Sequence, residues 1–133
     1  MFLQQLSYDE RRAFDALAKV LIASDGNLAP EEARLLSQLR VELGFGDDPP
    51  ADARSVTELA SVFGTHRGRR IALLELLGIA HADGELHSSE SEFLRQIARA
   101  WGVSEVELLT LENWTLRMLA VAGEAEALLT EKD

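Results

Sequence analysis

Apolar residues recur along this chain at intervals of three and four. Phe14, Leu17, Ala18, Leu21 and Ile22 fall at i, i+3, i+4, i+7 and i+8, the spacing of one helix face, and predict a helix ending near Ser24. Ser7 and Glu10 stand at its start as a capping box. Asp25-Gly26 stops it, glycine supplying the backbone freedom a helix C-terminus uses. Pro30 opens a second helix with a stripe of Leu35, Leu36, Leu39 and Leu43, closed by Gly44. The segment 44–54, with Gly46-Asp47-Asp48-Pro49-Pro50 inside it, predicts a connector. Ser55 with Glu58 begins a short third helix. A fourth, from about Arg67 to Ala82, is apolar nearly all round and is therefore expected to be central. Asp83-Gly84 breaks it. The fifth carries Phe93, Leu94, Ile97 and Trp101 and ends at Gly102. Ser104 with Glu107 caps a further start, and one or two helices then reach about Leu129. Trp101 is read as core. Trp114 is read as core or as part of a partner surface, with burial the default. No alternating run bounded by turn residues predicts a strand. The expected fold is all-α, with six to seven helices.

Sliding the chain by 58 residues superimposes its halves. Leu21 meets Ile79, Asp25 meets Asp83, Gly26 meets Gly84, Leu28 meets Leu86, and Glu32 meets Glu90. Leu39 meets Ile97 and Gly44 meets Gly102. The units, approximately 8–45 and 66–103, each read D-G-x-L-x-x-x-E between two apolar helices. Duplicated helix pairs of this kind are expected to pack about a pseudo-twofold axis, within one domain spanning 1–133.

Composition narrows the function classes. Hydrophobic residues make up 47% of the 133, an ordinary globular share. The net charge of −10 repels phosphate backbones and anionic lipid, so nucleic acid is not an expected partner. The cluster His66-Arg67-Gly68-Arg69-Arg70 is short, and reads as a solvated helix start or as partners for nearby acids. Without cysteine there is no disulfide, thiolate metal site or thiol nucleophile. The most apolar window, 71–80, is too short to span a bilayer, so membrane insertion is not expected. The expected location is cytoplasmic. No G-x-S-x-G, phosphate-binding glycine loop or H-E-x-x-H occurs, and the chain is read as a non-enzyme.

The acidic loops carry the candidate chemistry. Aspartate, glycine, an aliphatic residue and a glutamate seven after the aspartate fit the second half of a calcium-binding EF-hand loop. The first half fails, because Leu21, Ala23, Ile79 and His81 stand where carboxylates are needed. Two readings remain. In one, Asp25 and Asp83 accept backbone N–H groups in tight turns, while Glu32 and Glu90 cap the following helices. In the other, oxygen ligands hold a divalent cation. The second loop is then the stronger site, because His81 and His87 lie near Asp83, Glu85 and Glu90.

At these residues the chain resembles the tellurite-resistance TerB-like family. Met1-Phe2-Leu3 through Ser7, the alanine-rich first helix, and the two units Asp25–Glu32 and Asp83–Glu90 carry the resemblance, which reaches to about Gly102. It implies an all-helical fold of two similar halves and an accessory role in a stress response of the tellurite-resistance type. It also implies a divalent cation (calcium, magnesium, manganese or zinc) held by acidic residues. The candidate ligands here are Asp25, Glu31, Glu32, Asp83, His87 and Glu90. The sequence departs from the family pattern where a capping serine is usual, with Ala29 in the first unit and His87 in the second. The competing reading is a protein-interaction module that binds no metal. A protein partner fits either.

Overall fold

The computed structural model of the chain describes residues 1–25, 30–45, 52–82, 84 and 86–130, with the side chains of 25, 31 and 32 outside that set. Among the described residues there are six α-helices and no strand, as expected. They are α1 (Tyr8–Ile22), α2 (Pro30–Leu43), α3 (Val56–Ser61), α4 (His66–His81), α5 (Ser88–Ala100) and α6 (Glu105–Leu129). Short 3-10 turns cover Leu3–Gln5 and Ala23–Asp25. The last segment is one helix of 25 residues rather than two. The connector at 46–51, read from its glycine and prolines, lies outside the described residues.

Capping side chains set the helix starts. The Glu10 N–H donates to Ser7 Oγ (3.2 Å), and Ser7 N–H donates to Glu10 Oε1 (2.9 Å). Ser55 and Glu58 repeat that reciprocal pair at α3 (3.1 and 3.2 Å). Thr65 accepts from Gly68 at α4, and Ser104 accepts from Glu107 at α6. Each such bond satisfies an amide that has no carbonyl partner within its helix. Just before α3, the Arg54 guanidinium bonded to Asp52 holds that carboxyl down at about 2, well below the usual range.

The repeat read from the letters is also a repeat of structure. α1 begins at 8 and α4 at 66; α2 begins at 30 and α5 at 88. Both second helices end in the same motif. Phe45 N–H reaches Arg40 O (2.9 Å) and Gly44 N–H reaches Val41 O (3.1 Å). Val103 N–H reaches Ala98 O (2.8 Å) and Gly102 N–H reaches Arg99 O (3.1 Å). The turning residues are Gly44 (φ +81°) and Gly102 (φ +69°), in the left-handed conformation that this helix stop requires.

Burial follows the predicted faces. Phe14, Leu17, Ala18 and Leu21 of α1 are fully buried, as are Ala72, Leu73 and Leu76 of α4. α4 packs against α1, α5 and α6, the central place its all-round apolarity predicts. α1 pairs with α2 as α4 pairs with α5. An alanine Cβ at Gly68 would stand 2.7 Å from Glu10 Oε2, so this glycine lets the start of α1 approach the start of α4. Trp101 is core as expected, 5% exposed. Its Nε1–H donates to Ala60 O (2.9 Å), and its ring meets Phe63 edge-on at 5.2 Å. Trp114 departs from the default of burial. It is half-buried on α6, tilted against Phe2 with ring centroids 6.1 Å apart, because α6 turns only part of its girth to the core.

Candidate functional site

The fold brings the start of the first acidic loop beside the end of the second. The 3-10 turn Ala23–Asp25, which leaves α1, packs against α5, which comes after the second loop. Ser24 Oγ lies 3.4 Å from Ser89 Oγ across that junction, and also donates to Leu21 O (2.7 Å). Residues 65 apart in sequence thus become neighbours.

Of the six candidate ligands, Asp83 lies outside the described residues, as do the side chains of Asp25, Glu31 and Glu32. The other two can be placed. His87 is the residue before α5, in extended conformation. Glu90, buried at the third position of that helix, accepts the His87 backbone N–H on Oε1 (3.2 Å). This is the reach-back half of a capping box. His81, expected near the acidic loop, is engaged by α6. Its Nε2 lies 2.9 Å from Glu112 Oε2, so it faces α6 and clasps that helix to the end of α4. Among the described residues, no three His, Cys, Asp or Glu side chains gather into a metal-holding group.

Beside the junction runs a groove of about 730 Å³. Its apolar lining comes from Ile22, Leu35, Ile79 and Ala80, contributed by both repeat units. Its polar lining comes from Arg34, Gln38, Glu90 and, from α6, Glu126. Glu90 is thus both a helix cap and part of the groove wall. The groove was not legible in the sequence, because it exists only where α2, α4 and the distal part of α6 come together.

The arginine-rich start of α4 is bonded to its surroundings, with His66, Arg67 and Arg70 still exposed. Arg69 Nε donates to Phe63 O (2.8 Å), Arg67 bonds Gln5, and Arg70 forms an ion pair with Glu107. Glu107 therefore leaves the Ser104 cap half-reciprocated and ties α6 to α4 instead. Pairing with nearby acids, one of the two expectations for this cluster, thus holds for Arg70. No helix among the described residues is long and apolar enough to cross a membrane.

Two helix–loop–helix units, joined through α1 and α4 with their acidic loops leading to one junction, define the class of this protein. Residues 47–113, half of the chain, match the family model described as tellurite resistance protein TerB, and the chain belongs to the TerB family. The match takes in the whole of the second unit and enters α6. No curated protein and no solved structure matches the chain.

Proposed function

We propose that this chain is a non-catalytic accessory domain of a tellurite-resistance-type stress response, acting in the cytoplasm. In this reading the duplicated acidic loops, related by an approximate twofold axis, hold a divalent cation at their junction. The observation that carries the reading is the approach of Ser24 to Ser89, which sets the start of the first D-G-x-L-x-x-x-E unit beside the end of the second. Oxygen donors from two loops suit a hard cation better than one loop alone, since such ions take six or more oxygens. Asp25, Glu31 and Glu32 from the first unit, with Asp83, His87 and Glu90 from the second, are the proposed ligand set.

A second reading is favoured by a specific pair of contacts. Glu90 caps α5 through the His87 N–H, and His81 is engaged by Glu112. On that reading the loops are helix caps, and the domain is an adaptor that binds a protein partner.

Calorimetric titration of metal-stripped protein with calcium, magnesium, manganese and zinc separates the two. The cation reading expects saturable micromolar binding, lost in the double variant Asp83→Asn with Glu90→Gln. Glutamine keeps an oxygen to accept the His87 N–H, so the cap survives and loss of binding is not loss of fold. Heats no larger than dilution for every ion would rule out the cation and leave the adaptor.

A further inference from the structure

A second groove, of about 460 Å³, opens at the start of α4. It lies roughly 20 Å along the helix from His81 and the acidic loop that follows. Its floor is Phe2, Ile71 and Leu74, and its rim is His66, Arg67 and Arg70. The rim residues are exposed, while Ile71 is buried and Phe2 and Leu74 are half-buried. Among the described residues no carboxylate lines it, whereas Glu90 and Glu126 line the groove between the repeat units. In a chain of net charge −10, three of the thirteen Lys and Arg fall within 67–70, which makes this a local concentration of positive charge.

The rim cations keep capacity for a ligand. Arg67 donates to the neutral Gln5 amide, so that contact leaves its charge uncompensated. Arg70 pairs with Glu107, and His66 Nε2 stands 3.8 Å from the same carboxylate. The Arg70–Glu107 side chains are 47% and 26% exposed, and an ion pair so open to water is weak. A guanidinium carries five N–H donors in a planar fork that matches a carboxylate, so a second acid can join at either arginine. We propose that this groove docks a short acidic segment of a partner protein, seated by one aromatic side chain with carboxylates on both sides of it. The ring packs on Phe2 and Leu74, and the flanking acids reach Arg67 and Arg70. An aromatic anchor in an apolar pocket beside arginine is the composition that carries most of the energy at protein interfaces. Two guanidinium groups on one rim call for more than one carboxylate, which an acidic segment offers and a fatty acid does not. A short segment also touches only this positive spot, whereas an extended polyanion meets the net negative charge around it. The docking holds whether or not the acidic loops bind a cation.

Fluorescence anisotropy of a fluorescein-labelled peptide, Asp-Glu-Phe-Asp-Glu, tests this on the full chain at about 0.15 M salt. EDTA in the buffer keeps any loop cation out of the result. The expected outcome is saturable binding with a Kd of about 100 µM or tighter. Alanine in place of the peptide's phenylalanine should weaken it about tenfold or more, and lysine in place of every acid should abolish it. Arg67→Gln with Arg70→Gln should weaken it about tenfold or more, and Leu74→Ala about five-fold. Arg67→Gln alone, which gives up only the contact with Gln5, should weaken it about three-fold and decides the matter if the double variant melts early. Amide shifts in NMR spectra should move around 66–74 and stay fixed at 23–24 and 88–90. No saturation by about 1 mM peptide overturns the proposal. So does binding that the arginine variants leave unchanged, an alanine peptide that binds equally well, or shifts that fall beside the acidic loops instead. A chain that ignores the peptide but sediments with phosphatidylserine vesicles overturns it too, and assigns the groove to a membrane surface.

Discussion

Trp101 joins a local pattern to a distant contact. It ends α5 and sits on the apolar face that the sequence lays out, yet its indole N–H reaches a carbonyl 41 residues away in α3. Its ring also packs on Phe63, so it stitches α5 to the short helix that the repeat does not duplicate. Trp101→Ala should cost about 3–5 kcal/mol, the range for deleting a large buried aromatic. Trp101→Phe keeps most of the ring contact and should lose about 1 kcal/mol for the hydrogen bond, plus a small void. Urea denaturation of the two variants checks the ordering. Equal losses would mean that the hydrogen bond contributes as much as the packing. The periodicity of α5 made burial of Trp101 legible. The identity of its acceptor was not, because no local pattern links position 101 to position 60.

Helix ends are where the duplicated elements can be compared under matched conditions. Gly44 and Gly102 occupy equivalent places, with φ of +81° and +69°, and close their helices with the same pair of backbone bonds. An alanine at either place carries the left-handed penalty, about 1 kcal/mol. The surroundings differ. A Cβ at position 44 would stand 3.3 Å from Arg11 Nη1, and Arg11 donates to Leu43 O (2.9 Å) at the same helix end. A Cβ at position 102 meets nothing within 4 Å. Gly44→Ala should therefore destabilise more than Gly102→Ala, by about 0.5–1 kcal/mol, as the arginine gives up part of its bond. Paired thermal melts decide it; a larger loss at 102 would contradict the role given to Arg11. Both glycine stops were readable from the letters. The arginine that makes them unequal comes from a different helix.

For the molecule as a whole, α6 is the element whose attachment matters most. It lies chiefly against α4, with Thr115 buried, Glu107 on Arg70, and Glu112 on His81. The His81 clasp fastens α6 at the end of α4 that leads into the second acidic loop. His81→Ala should loosen α6 by about 1 kcal/mol, so that amides around Glu112 exchange roughly five-fold faster while those of α1 are unchanged. Hydrogen exchange read by mass spectrometry distinguishes this from global destabilisation, in which both helices would speed together. The family relation rests on 47–113, so the match takes in the histidine and its glutamate but not the far end of α6.

The sequence by itself determined the helices, the caps at Ser7, Ser55 and Ser104, the glycine stops and the 58-residue duplication. These are short-range: a 3.6-residue period, a serine three before a glutamate, and a glycine where φ must be positive each act within a turn or two of backbone. Membership of the family was legible for the same reason, since it rests on a run of such local signals. Only the tertiary structure decided what His81 does, how far Trp114 is covered, and that Ser24 meets Ser89. It also decided that a groove opens between the units, and that one face of α6 is left to solvent. Each of those depends on which helix faces which across tens of residues, and the periodicity of a single helix says which face is apolar but not what will cover it.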